Sequence, residues 1–449
     1  MRTLLLPLLM TIMLCGSAVG AALDQSKIIA PTGGVYLGAY EWTAGDIAAV
    51  ETATGYKTSH YSSARGNWAI GYVSGHPHLD VTAANTAWNA GKVVVVQAYN
   101  LYAGTDAEHP TGFTVDKLLN GDYDANLSTF AAELRSFGKP IFMQAGREPN
   151  GVGQDYMGGF GSLGDQSLSW AITNESAYSL FVPPAPPTGA PANLYDGCSG
   201  ATMPDGIGRL KAGQRYLVDF FQRREGLNFL TWDSQGFNVR YWINSGTNQD
   251  VSDSNDYVGH EAYALTLLQR ASDPAYWYPG DAYVDWVSLT FYFLDYYDAN
   301  WSFLSGSDIL ISNADWLTSL AHMYSQIQGV TSKPILLAEL GFPDGMSSNT
   351  VYGASKVTDG MTAILDTYPQ IKAVSLWSNH ADWLQNDIFP YDCLFDNPLQ
   401  VAALHAVVAA RPGSIRSCVT LTDGILHPNC TKTMRGAGVV KSSGSVRFQ

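Results

Sequence analysis

Charge is scarce in this sequence, and positive charge most of all. Charged residues fill 14% of its 449 positions, against about a quarter in ordinary globular chains. The 25 Lys+Arg are outnumbered by 40 Asp+Glu, giving a net charge of -15. Such a surface repels phosphate backbones and anionic lipid, so neither nucleic acid nor a membrane is expected as a partner. Past the N-terminal stretch no segment approaches the ~20 apolar residues needed to cross a bilayer. Cysteines are few, 5 in all, with no CxxC and no clustered histidines beside them, which argues against a zinc site. His76 and His78 flank Pro77 without an obvious carboxylate ligand and read as surface residues. No phosphate loop or Ser-His-Asp arrangement stands out. No cofactor and no metal are expected.

What is abundant is apolar and aromatic. Hydrophobic residues make up 46%, with 12 Trp and 25 Tyr. That supplies a large core and excludes a disordered or fibrous chain. Many aromatic rings among few charges also suit a surface that stacks on neutral sugars.

The N-terminus has the pattern of an export signal over residues 1–21: Arg2, the apolar run Leu4 to Leu14, then the small residues of SAVGAA. The expectation is a secreted, extracellular, monomeric protein. Removing the signal also removes Cys15 and leaves Cys198, Cys393, Cys418 and Cys430. An even number suggests two disulfides, for which three pairings are open. Cys418–Cys430 is the local choice, with Cys198–Cys393 left over. Sequons begin at Asn126, Asn174, Asn300 and Asn429, sites that matter in a eukaryotic source.

From about residue 30 to 412, β-branched and aromatic runs alternate with helix-like stretches. The strand candidates are 33–40, 67–75 (NWAIGYVSG), 92–100, 139–146, 238–245 (NVRYWINS), 283–293, 333–341 and 372–379. Most are nearly continuous in apolar residues, as parallel strands covered on both faces are. Helical patterns lie between them, at 127–138, 208–226 and 316–329. Eight such units fit an α/β fold, a (β/α)8 TIM barrel with elaborated loops. A doubly wound sheet is the alternative, but no Gly-rich fingerprint follows the first strand. Residues 183–206, rich in Pro and Gly, read as a surface loop pinned by Cys198. Residues 413–449 read as a disulfide-containing, partly disordered tail.

In such a barrel, reactive residues stand where strands end. The fourth strand runs into GREPNG and brings Glu148; the seventh runs into LAELG and brings Glu339. Two carboxylates across a barrel mouth are what glycosidic cleavage needs, one protonating the departing oxygen and the other attacking the anomeric carbon or activating water. Each could instead cap a helix or pair with a nearby Arg.

GREPNG, KPILLAELG and above all YWYPGDAYVDWVSLTFY resemble glycoside hydrolase family 26. The likeness runs in order over about residues 30–410 and is clearest from 130 onward. It implies a retaining (β/α)8 enzyme with Glu148 as acid/base, Glu339 as nucleophile, Tyr292 as the hydrogen-bond partner of that nucleophile, and Trp377 as an aromatic floor under the sugar. An endo-β-1,4-mannanase is the first expectation, with β-1,3-xylan or mixed-linkage β-glucan as alternative substrates. Two features depart from the family pattern. Arg147 precedes the acid/base where a His is usual, and Gln97 and Tyr99 stand near a usual Trp-His pair. A non-catalytic carbohydrate-binding or cell-wall protein is therefore an alternative; a transglycosylase with the same residues is another, differing only in which acceptor wins over water. Trp42, Tyr99, Tyr102, His380, Asp382, Trp383 and Asn150 are candidates for lining a polysaccharide or oligosaccharide site, or for packing. Arg147 reads as a buried ion-pair partner or a substrate contact, and Asp285 as a structural hydrogen-bond partner.

Overall fold

Eight short strands pair side by side, all in parallel. The computed structural model describes residues 26–41, 51–52, 55–63, 70–73, 76–97, 114–145, 181–199, 205–234, 237–238, 273–292, 313–342, 350–377 and 398–422. The strands in chain order are Val35–Glu41, His60–Ser63, Val93–Gln97, Ile141–Gln144, Leu230–Asp233, Val287–Tyr292, Ile335–Gly341 and Ile371–Trp377. Each of the first four pairs with its successor. Three residues after the fifth comes Phe237–Asn238, which pairs with the sixth, as does Asp233 through a bridge to Trp286. The sixth pairs with the seventh, the seventh with the eighth, and the eighth with the first. The ring is closed, and the fold is a (β/α)8 barrel.

Among the described residues, long helices follow six of the eight strands. They span Val81–Asn89, Asp124–Phe137, Asp205–Val218, Asn313–Val330, Thr350–Asp366 and Pro398–Ala409. Gly138 ends the second of these in a left-handed conformation, φ 59°, which costs a residue without a Cβ little. Helix 205–218 passes directly into a π-turn, Asp219–Arg224, which Gly226 follows at φ 71°. Buried Asp219 holds that turn by accepting from Arg223 at 2.5 and 2.7 Å and from Arg224 at 3.3 Å.

Two strand expectations need correcting. The second barrel strand is His60–Ser63, not 67–75. Ile70–Val73 is extended, but it pairs antiparallel with His76–Leu79 in a hairpin off the barrel. HYSS is too polar to read as a strand by composition, and only its neighbours make it one. Likewise the fifth strand begins at Leu230, ahead of the expected 238–245; of that run only Asn238 is among the described residues. His78 Nδ1 donates to the Glu133 carboxylate at 2.7 Å, so this hairpin histidine has a carboxylate partner after all.

The end where the strands begin is sealed. Ile28–Ile29 pairs antiparallel with Thr420–Leu421 beneath the barrel. Ile28 N donates to Thr231 Oγ1 at 2.9 Å, Trp286 Nε1 to the Ile28 carbonyl at 3.1 Å, and Tyr36 Oη to the Ile29 carbonyl at 2.8 Å. Lys27 grips Asp285 at 2.8 Å, and Asp285 also accepts from Trp232 N at 3.0 Å, the structural role expected of it. Above this floor the interior is filled by edge-to-face rings. Phe142 meets Trp286 at 5.4 Å and His60 at 6.0 Å between ring centres.

The Pro-rich segment is held by arginine rather than sulfur. Arg215, buried in helix 205–218, donates to the carbonyls of Leu194 (3.0 Å), Asp196 (2.6 Å) and Pro279 (2.7 Å). Arg209 lies over the Phe181 ring at 4.7 Å. Cys198 is a buried free thiol, so the Cys198–Cys393 bridge is not made. Burial raises its pKa and leaves it a poor thiolate. Cys393 and Cys430, the N-terminal 25 residues and the tail beyond 422 lie outside the described residues.

Candidate active site

Alternation along the strands sorts side chains into those facing the barrel interior and those facing the helices. Trp232 packs on Phe221 of the π-turn, at 6.0 Å between rings, so it faces outward. Its neighbours Thr231 and Asp233 therefore face in. Asp233 is fully buried and accepts from Ser288 Oγ at 2.9 Å. Ser288 and Thr290 then share the interior face of the sixth strand, while Val287 and Leu289 line a small apolar cavity against Trp277 and Ile327.

Strand register decides where Glu339 points. Leu337 lies opposite outward Leu289, and a residue two further on would ordinarily point outward as well. Instead Glu339 lies opposite Thr290, a single step from Leu289. The other neighbour reports the same insertion: three residues from Leu337 to Leu340 match two from Val374 to Leu376. One extra residue is thus accommodated in the seventh strand, and such bulges re-aim side chains near functional sites. Here the bulge turns Glu339 to the interior face beside Thr290, two residues before the strand ends at Gly341. Glu339 is 2% exposed.

Other polar groups share that interior. Gln144, the last residue of the fourth strand, is 7% exposed and lies opposite Asp233. His60 is wholly buried, and burial, reinforced by the nearby charge of Lys92, pushes its pKa down to about 3. It is a neutral imidazole at any ordinary pH. Lys92 is itself buried against Glu51 and Thr58 Oγ1, and burial lowers its pKa.

Of the residues singled out from sequence, Glu339 is placed with its side chain. Tyr292 and Trp377 are placed by backbone, closing the sixth strand opposite Gly341 and the eighth opposite Tyr40. Glu148, Arg147, Asn150, Tyr99, Trp42, His380 and Trp383 lie outside the described residues. Asp233, Ser288, His60 and Ser375 were not singled out. The alternating Ser and Thr of VSLTFY was the available signal for one of them; nothing in HYSS marks His60 as interior.

The chain matches no family profile, and no curated protein matches it. Among solved structures it is similar to a mannanase of Bacillus subtilis, at 15% identity and a TM-score of 0.41, over 84% of this chain and 86% of that one. It is similar to a modular endo-β-1,4-mannanase of Cellulomonas fimi, described as a glycoside hydrolase family 26 mannanase, at 13% identity and 0.43, over 85% and 72%. A β-mannanase from a symbiotic protist of the termite Reticulitermes speratus is similar at 13% and 0.41, over 88% and 89%. Likenesses this distant add nothing to what the strand pairings establish. The barrel rests on its own closed ring, and the candidate site on the inward turn of Glu339.

Proposed function

We propose that this chain is a secreted retaining glycoside hydrolase acting on a β-linked, hemicellulose-like polysaccharide, with mannan as first candidate. The observation that carries the reading is Glu339, a buried carboxylate turned into a barrel near the end of its seventh strand by a one-residue bulge. Its partner in this reading is Glu148, which the sequence places just past the fourth strand. Retaining hydrolysis needs the two about 5–5.5 Å apart. Glu339, ionised, attacks the anomeric carbon while Glu148 protonates the departing oxygen. Repulsion from Glu339 keeps Glu148 protonated; esterification of Glu339 removes that repulsion, and Glu148 then takes a proton from the attacking water. Tyr292, closing the neighbouring strand, orients Glu339, and Trp377 supports the sugar. Export and a Cys418–Cys430 disulfide belong to the same reading. Cleavage after residue 21 would leave the floor strand Ile28–Ile29 intact.

The test is product release from mannan, β-1,3-xylan, mixed-linkage glucan and xylan, followed by NMR of new chain ends. The β-anomer should appear first from one polymer, and Glu339→Gln should lower kcat at least a thousandfold with unchanged thermal unfolding. Undiminished turnover in that variant refutes the assignment. Binding without cleavage by the wild type favours the carbohydrate-binding alternative, which the arginine preceding Glu148 keeps in view.

A further inference from the structure

Ser375, Gly38 and His60 stand in one row across the eighth, first and second strands. Gly38 leaves a gap in that row, and a Cβ there would come within 2.3 Å of His60 Nε2. The imidazole uses the gap to cross the first strand and meet Ser375 Oγ at 2.9 Å. At its other end Nδ1 is 3.0 Å from Ser59 Oγ, which in turn is 3.0 Å from the Leu37 carbonyl. These contacts have one consistent proton order. A carbonyl only accepts, so the Ser59 hydroxyl gives its single proton to Leu37. Nδ1 must then donate to Ser59, and a neutral ring keeps only a lone pair on Nε2. Ser375 therefore donates to His60.

We propose that His60 is a positioning residue which, as its Nδ1–H tautomer, bolts Ser375 to the first two strands and so fixes the eighth strand two residues before Trp377 for binding a sugar chain. This rests on reading the barrel mouth as a glycan site. The bolt spans Gly38, a point of the first strand that carries no side chain.

Two measurements on the full chain test it. The first is 15N NMR of the histidine rings, with the His60 signals assigned by their loss in His60→Gln. The Nδ1–H tautomer should persist unchanged from pH 8 to pH 5, and Ser375→Ala should move the Nε2 resonance. The second is affinity for each polymer of the panel by retardation in polysaccharide gels. Ser375→Ala and His60→Gln should weaken binding at least fivefold, and Ser375→Thr should restore it. An Nε2–H tautomer, a ring titrating near its ordinary pKa, or unaltered binding in Ser375→Ala overturns the proposal. If the wild type binds a polymer without cleaving it, the hydrolase reading fails while the binding test still decides this one. If it binds none, both fail.

Discussion

Gln400 is fully buried, yet neither its amide oxygen nor its amide nitrogen has a hydrogen-bond partner. A buried polar group left unpaired costs about 1–3 kcal/mol. Gln400→Leu, close in volume, should therefore stabilise the protein by about 1 kcal/mol, and raise the melting temperature measured by calorimetry by about 2 °C. A lower melting temperature would mean that the amide is satisfied. Gly38 is the opposite case. A methyl group there meets a ring bolted at both ends, so Gly38→Ala should destabilise by about 2 kcal/mol or more, by overpacking and loss of the Ser375 bond. Urea unfolding reads this directly. Such effects are invisible in sequence, where Gly38 is one of 44 glycines and Gln400 an ordinary helix residue.

Among elements, the 181–199 segment depends on one arginine. Arg215 satisfies three carbonyls, two on the segment and one at Pro279 ahead of the sixth strand, and lies 5.1 Å from the Tyr283 ring. Arg215→Met keeps the bulk and removes every donor. Hydrogen bonds from a charged group contribute about 1.5–3 kcal/mol each, shared here over one side chain, so a loss of about 3 kcal/mol is expected. Proteinase K should also cut within 181–199 faster in the variant than in the wild type. Equal cutting rates would show that Phe181 and Leu194 packing holds the segment alone. The sequence marked this stretch as a loop through its prolines, but its anchor was misread as Cys198. An arginine inside a helical pattern gives no sign of which distant carbonyls it will meet.

For the whole molecule, the buried imidazole sets a pH dependence. Unfolded His60 titrates near 6.5, while in the fold burial holds it near 3. The unfolded chain thus binds a proton that the folded chain refuses, and stability rises with pH between these values. Stability from this group is fully present above about 6.5 and is lost progressively on acidification, by about 3 kcal/mol at pH 4. Urea midpoints of wild type and His60→Gln should therefore converge as pH falls from 7 to 4. A constant gap would show that His60 keeps an ordinary pKa in the fold.

The sequence by itself determined the class of architecture. Near-continuous apolar runs spaced by helical patterns can bury both faces only in a parallel sheet covered by helices, and six of the eight strands lie where those runs do. It also put Glu339 at the end of the seventh run and Asp285 among structural groups. Tertiary structure alone decided the rest. His60–Ser63 became a strand because two neighbours offered it unpaired backbone, not because its side chains favour one. The fifth strand started eight residues early for the same reason. The facing of Glu339 could not be read from LAELG, because period-two alternation fails wherever an extra residue is accommodated. Only pairing with strands on both sides reveals that it is. The neutrality of His60 came from the same source: a pKa is set by what surrounds a group, and its surroundings are assembled from strands over 300 residues apart in the chain.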